Sequence, residues 1–244
     1  INYVEIEIPK KASKLDELNV VLIADFHLTP VNNGGLCKSI VEKINTLNAD
    51  IVFMPGDILD DNVSMLKRRN IAKSLSDIKS KYGVFVSNGN HEFIIGVEEA
   101  DKYLNELNLN VLRDSAMLVA NSFYVLGRED RSKPNFTDNE RKSLKEILAQ
   151  VDRNYPVIIV DHTPLNLEEI TNEEIELQLS AHTHHGQIFP LNLITNIIYE
   201  VSWGYLKKEK TQFFVTCGVG TWGPPVRLGS DSEIVSIKIR FVEK

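Results

Sequence analysis

Cysteine is scarce in this chain: two of 244 residues, Cys37 and Cys217, at no metal-ligating or redox spacing. Cys217 closes the apolar run Phe213, Phe214 and Val215, so it reads as a buried thiol rather than half of a disulfide, and the redox compartment stays open. Long hydrophobic runs are missing too. No stretch approaches the roughly 18 apolar residues of a membrane span. The start, Ile1 to Pro9, alternates like a strand and lacks the basic-then-apolar layout of a signal peptide. There is no basic excess: 27 Lys and Arg stand against 34 Asp and Glu, a net charge of −7. That excludes a nucleic-acid partner as the first expectation, because phosphate backbones are held by a basic face. No repeat, low-complexity tract or linker interrupts the chain, so a single domain over residues 1–244 is expected. The first residue is Ile rather than Met, so the chain reads as processed or trimmed. Membrane association through a segment upstream is left open by that start.

What is present is the profile of a globular protein with a sizeable core, 43% hydrophobic and 25% charged. Val20–Ala24, Ile51–Met54, Val84–Val86, Val157–Val160 and Leu177–Leu179 are short and nearly continuous in hydrophobicity, which suits strands buried on both faces. Between the first and second, Leu36, Ile40, Ile44 and Leu47 recur at helical spacing, and between the second and third Ile71, Leu75 and Ile78 do so. Thr137 followed by Glu140 predicts a capping box, with Leu144, Ile147, Leu148 and Val151 as the buried stripe behind it. This order of strand and helix predicts an α/β core. At the tail Gln212–Cys217 and Ser232–Phe241 read as strands with no helix between them, and Phe123–Leu126 reads as another strand, which predicts mixed pairing.

All six histidines, His27, His91, His162, His182, His184 and His185, fall just beyond one of the five strand-like runs. In open α/β sheets that edge is where ligands bind. A lone histidine there is usually structural; six, joined by Asp25, Asp57 and Asn90, make a ligand cluster drawn from distant parts of the chain. Asp25 and His27 are one residue apart, so in extended chain both side chains leave on one side, and His182 and His184 repeat the device. Gly56 and Gly89, before Asp57 and Asn90, permit backbone that other residues resist. With no thiolate among them, carboxylate, amide and imidazole ligands suit manganese, iron, zinc, cobalt or nickel. Asp25, His27, Asp57, Asn90, His162, His182 and His184 are seven ligands, too many for one ion once water and substrate are counted. Two ions sharing Asp57 fit better, the arrangement used for in-line displacement at phosphorus.

The segments Asp25-Phe26-His27, Gly56-Asp57-Ile58-Leu59-Asp60, Gly89-Asn90-His91-Glu92, the single His162 and His182-Thr183-His184 stand in the order seen in the calcineurin-like metallophosphoesterases, which this chain resembles from Asp25 to about His185. The resemblance implies a four-layer αββα sandwich of two mixed sheets flanked by helices. It implies one divalent ion, manganese first, on Asp25, His27, Asp57 and His184, and a second on Asp57, Asn90, His162 and His182. A hydroxide bridging the ions would attack phosphorus. His91 would stabilise the transition state or protonate the leaving oxygen, Glu92 would fix its tautomer, and Asp60 would support the ligands. The stretches 179–190 (LSAHTHHGQIFP) and 218–229 (GVGTWGPPVRLG) look like a bacterial, often membrane-linked branch whose relatives include enzymes that cleave UDP-diacylglucosamine. The expected partner is therefore a small-molecule or lipid-linked phosphate ester. Protein phosphatase and cyclic-nucleotide phosphodiesterase are the alternatives, with a non-catalytic metal-binding scaffold behind them. Ala181 and His185 stand where that branch commonly has glycine; Ala181 fits if its φ is negative, and His185 lines the substrate pocket or faces solvent.

Other residues carry two readings each. Arg227, after Pro224-Pro225, could fork onto a substrate phosphate or make a surface salt bridge. Trp203, Tyr205 and Trp222 could wall a substrate pocket, with ordinary rim packing favoured. Arg128 and Arg131, flanking Asp130, could reach the site from a loop. Gly34-Gly35 could admit an anion or simply open a helix. Lys207, Lys208, Glu209 and Lys210 read as a solvated hairpin turn.

Overall fold

The computed structural model describes residues 1–31 and 34–243. Strands β1 (Asn2–Pro9) and β2 (Glu17–Leu22) precede helix α1 (Gly34–Asn45), and β3 (Ile51–Pro55) leads through α2 (Val63–Arg68) and a 3-10 turn (Lys73–Asp77) to β4 (Val84–Ser87). Helices α3 (Asn90–Ile95) and α4 (Val97–Glu106) then lead to the short β5 (Asn110–Val111). The second half runs β6 (Ser115–Val119), β7 (Phe123–Gly127), α5 (Leu144–Leu148), β8 (Val157–Val160), α6 (Leu167–Asn172) and β9 (Leu177–Ser180). It closes with α7 (Leu191–Ile198), β10 (Gly204–Lys208), β11 (Thr211–Val215) and β12 (Val235–Val242).

Two six-stranded sheets result, ordered β1-β12-β2-β3-β4-β5 and β10-β11-β9-β8-β7-β6. Both are mixed: β2 to β5 run parallel while β12 is antiparallel to β2, and β7, β8, β9 and β11 run parallel between antiparallel β6 and β10. Alternation along the strands fills three layers of core. Leu18, Val20, Leu22, Ile51, Phe53 and Phe85 meet Ile158, Val160, Leu177, Leu179 and Phe214 between the sheets. Val21, Val52, Met54 and Val86 face outward onto α1, α2 and α4, and Val157, Ile159, Phe213 and Val215 onto α5 and α6. Strands such as β3 and β8 are apolar toward both layers, which explains the continuous runs. Each fully buried aliphatic or aromatic side chain here contributes about 1.5–3 kcal/mol. The arrangement is the expected αββα sandwich.

Some local expectations shift. The capping box belongs to Ser143 and Glu146, not Thr137 and Glu140: Ser143 Oγ accepts from Glu146 N, and Glu146 Oε2 from Ser143 N. The predicted stripe behind it is buried. In α1 the buried stripe is Cys37, Ile40, Val41 and Ile44, whereas Leu36 is exposed and Gly34-Gly35 form the helix's first turn. The segment around Ile71 and Leu75 is a short helix and a 3-10 turn, because Asn70 takes a left-handed φ of 53° and breaks the helix. Glu209, at φ 54°, turns the β10–β11 hairpin as expected.

Candidate metal centre

The carboxyl ends of the parallel strands β2, β3 and β4 in one sheet and β8 and β9 in the other point to the same edge of the sandwich. The loops leaving them carry Asp25 and His27, Asp57, Asn90 to Glu92, His162, and His182 to His185 in turn. Asp25 and His27 do not lie in extended chain: their φ angles are 54° and 45°, and His182 and His184 are likewise left-handed at 73° and 48°. The tight left-handed turns, rather than strand alternation, aim these side chains together. His182 and His184 accordingly part company. His184 joins Asp25 and His27, while His182 joins Asp57 and His162.

Asp57 Oδ2 sits between the two groups, 3.1 Å from His162 Nε2 and 3.8 Å from His27 Nε2. His27 Nε2 faces His184 Nε2 at 3.0 Å, and His162 Nε2 faces His182 Nδ1 at 3.1 Å. The backs of two rings are engaged. His162 Nδ1 donates to the Pro55 carbonyl at 2.6 Å and His27 Nδ1 to Asp60 Oδ2 at 3.1 Å, which leaves both Nε2 atoms as ligands. Asp25 Oδ1 and Asn90 Oδ1 are buried without a hydrogen-bond partner. Facing imidazole lone pairs and orphaned buried oxygens are costly in a bare protein and are what a pair of divalent cations satisfies. The donor set therefore fits a two-metal site, with no thiolate and no preference for a single metal.

The protein's own charges point the same way. Burial raises Asp57, yet the charge and hydrogen bond of His162, with His27 and His91, outweigh it and hold Asp57 well below the usual carboxylate range. Asp25 is pushed up to about 6, chiefly by burial, with Asp57 adding to it. Burial would lower His162, but Asp57 and Asp25 hold it well above the ordinary value. Burial and His162 together push His182 down to about 4.

Close approach dictates the glycines. Gly56 has φ +75°, and a Cβ on it would lie 2.4 Å from Gly89 N. Gly89 has an ordinary extended φ of −97°, so an unusual angle is not its reason. A Cβ there would stand 2.2 Å from Asp57 Oδ1. The expectation for Glu92 is also corrected. Its carboxylate is spent on backbone rather than on the His91 ring: Oε2 accepts from Asp57 N and Gly89 N at 2.9 Å each, and Oε1 from Ile58 N at 2.7 Å and Leu59 N at 3.0 Å. Burial, then Asp57, pushes it up to about 7 despite those bonds. His91 Nδ1 is instead held by Asp60 Oδ1 at 2.5 Å. Asp60 thus grips the ligand His27 with one oxygen and His91 with the other. Burial lowers His91, but Asp60 and Asp57 raise it overall.

A cleft of about 460 Å³ opens over the cluster, with His27, Asp57, Asn90, His91, His182 and His184 at its floor. Ile94, Leu191, Ile194 and Trp222 form its wall. Neither proposed substrate residue lines it. Arg227 donates to the carbonyls of Cys217 and Gly220 at 2.7 Å each and rests against His184 Nδ1 at 3.3 Å, so its guanidinium is occupied in stitching the loop after β11. Among the described residues it forms no surface salt bridge either. His185, at φ 49°, turns away toward Trp203 and bonds Ser202 Oγ at 3.2 Å, in a separate hollow. Its left-handed angle explains why glycine suits that position, and Ala181, which is not left-handed, fits. Arg128 pairs with Glu169 and Arg131 bonds the Leu165 carbonyl, both outside the cleft. Of the three aromatics, Trp222 alone lines it; Trp203 donates to Glu233 and Tyr205 to Gln212. Cys37 and Cys217 are free and buried.

A family model described as calcineurin-like phosphoesterase matches residues 18–186. A metallophosphoesterase of Helicobacter pylori, itself described as uncharacterized, is 32% identical over 238 residues, 96% of this chain and 63% of that protein. A Danio rerio protein described as a transmembrane protein with a metallophosphoesterase domain is 30% identical over 255 residues, 97% of this chain and 56% of its own length. The chain thus spans about three fifths of the length of these relatives. Among solved structures, a 5′-nucleotidase precursor of Thermus thermophilus superposes with TM-score 0.50 at 12% identity, over 92% of this chain and 54% of that one. GAP50 of Plasmodium gives 0.53 at 12%, over 90% and 77%. These two show likeness of fold alone.

Proposed function

Because the chain belongs to the calcineurin-like phosphoesterase family, we propose that it hydrolyses a phosphate ester at two divalent metal ions, and that the ester is a diester on a small or lipid-linked molecule. The observation that carries the reading is Asp57 Oδ2 standing between two pairs of facing imidazole nitrogens, with His91 held beside them by Asp60. Asp25, His27, Asp57 and His184 would hold one ion; Asp57, Asn90, His162 and His182 the other. When bound, the ions supply an activated water and charge to neutralise the phosphoryl oxygens.

The chain's own residues do the rest. His91 has Nδ1 committed to Asp60, so Nε2 is the nitrogen free to give a proton to the leaving oxygen. Asp60 raises its affinity for that proton and fixes the ring. Glu92 holds the Asp57–Leu59 turn by its backbone, which sets Asp57 between the two groups. The cleft is lined by neither Lys nor Arg among the described residues. A monoester dianion would lack a cationic clamp there, whereas a diester carries one charge and a second group for the apolar wall. The likeness of residues 179–190 and 218–229 to the diacylglucosamine-cleaving branch supports a lipid-linked diester. Manganese is the expected metal, since carboxylate, amide and imidazole ligands accept it.

The test is turnover of bis-p-nitrophenyl phosphate and p-nitrophenyl phosphate by metal-stripped protein reloaded with manganese, iron, zinc, nickel or cobalt. Manganese-dependent cleavage with preference for the diester is expected. Equal, negligible turnover of every ester with two ions bound would refute the reading.

A further inference from the structure

The helix at the mouth of the cleft is built inside out. No residue of α7 is buried. Leu193, Ile194, Ile197 and Ile198 are 54%, 50%, 85% and 57% exposed. At roughly 100° per residue, these four and Leu191 share one side of the helix, and Asn192, Thr195 and Asn196 share the other. The polar side is the one that meets the protein: Asn196 Oδ1 accepts from Ser202 Oγ at 2.5 Å, and Asn192 Oδ1 is buried. The helix backbone sits directly on Gly186, where a Cβ would lie 2.2 Å from Asn192 N. A surface helix of a globular protein in water shows the opposite polarity.

The apolar face continues beyond the helix through Phe189, Trp222, Val226 and Leu228, each more than half exposed. Histidines aside, no charged residue occurs from Leu177 to Tyr199 or from Thr211 to Val226. Arg227, between Val226 and Leu228, has its guanidinium turned onto the Cys217 and Gly220 carbonyls, so a charged partner would find little to pair with. A folded protein sealed over this face would also close the cleft, because Leu191, Ile194 and Trp222 belong to the face and to the cleft wall alike. A lipid surface suits both facts. Apolar side chains enter the headgroup–acyl boundary, tryptophan is favoured at that depth, and headgroup phosphates lie beside the opening.

We propose that α7, with Phe189, Trp222 and the Val226–Leu228 segment, docks this chain on a bilayer so that the metal cleft opens toward the headgroups. The docking stands independently of the phosphoesterase reading; the inference that the substrate is reached from the bilayer rests on it.

Leu193→Asp/Ile197→Asp tests it, since neither residue lines the cleft. Wild type and variant are floated with vesicles of phosphatidylcholine alone and of phosphatidylcholine with phosphatidylglycerol, at low and high salt. Wild type should bind both compositions, and the variant's bound fraction should fall roughly tenfold or more with its melting temperature and soluble-diester turnover kept. Absence of wild-type binding, or binding that needs phosphatidylglycerol and vanishes in high salt, would overturn the proposal. So would a self-association that the variant abolishes in size-exclusion chromatography without vesicle binding by either protein. Loss of diester turnover in wild type with vesicle binding intact would instead sink the phosphoesterase reading alone.

Discussion

Glu92→Gln separates two accounts of this glutamate. If Glu92 served His91, the substitution would lower turnover and leave stability alone. In the structure its two oxygens receive four backbone N–H groups, two on each oxygen. Glutamine keeps one oxygen and turns an amide NH2 toward the other pair. Two buried donors lose their acceptor, and the new amide donors face them. At about 1–3 kcal/mol for each unsatisfied buried group, offset by no longer burying a carboxylate, a net loss of about 2–4 kcal/mol follows. For a chain of this length that lowers Tm by roughly 5–15 °C. Circular dichroism melts of metal-stripped and manganese-loaded protein read the effect, with a larger drop expected in the loaded form because Asp57 moves with its turn. A Tm within about 2 °C of wild type in both forms, accompanied by a lower kcat, would refute the backbone-clamp account.

Asp60→Asn should lower kcat about a hundredfold and move the alkaline limb of the kcat profile to lower pH. Asp60 raises the proton affinity of His91, so removing its charge lets the proton leave earlier as pH rises. An unmoved limb would show that another group titrates there. His91→Ala should reduce turnover about 10²–10⁴-fold while metal content by mass spectrometry stays unchanged, because it is the backbone N–H of His91 that bonds Asp57. Gly89→Ala forces a Cβ toward Asp57 Oδ1 and should weaken manganese binding at least about tenfold in calorimetry; wild-type affinity would mean the loop relaxes freely. Metal at about 100 times its Kd should stabilise the stripped chain by about 2.7 kcal/mol, and a Tm insensitive to manganese would speak against binding to the folded form.

The layers of the fold were legible because buried parallel strands must be apolar on both faces, as Val20–Leu22, Ile51–Met54 and Val157–Val160 are. The ligand cluster was legible because its residues follow those strands in order. The mechanism of convergence was not: the paired spacing of Asp25 and His27 suggested extended chain, whereas left-handed turns aim them, and backbone angles of single non-glycine residues leave no composition signal. Asp60 took the role expected of Glu92 because adjacency to His91 in sequence suggested Glu92, whereas the fold brings Asp60 to the ring and spends Glu92 on the turn from Asp57 to Leu59. Arg227 resembled a phosphate ligand, but its carbonyl partners come from a loop whose shape sequence does not give. Of the cleft wall only Trp222 was considered, and Leu191 and Ile194 went unread. The signal available was the run LNLITNII, apolar and free of charge outside any strand pattern.

Strand β12 lies between β1 and β2, from which it is the most distant strand in sequence. Edge strand β1 therefore has no neighbour in its sheet until β12 is in place, so this side of the sheet closes only through pairings of high sequence separation. The segment just before that strand also seats the earliest ligand, since Val219 N and Gly220 N bond the carbonyls of Ala24 and Asp25. An ion held tightly at Asp25 is thus a report that the loop after β11 has docked on the loop after β2.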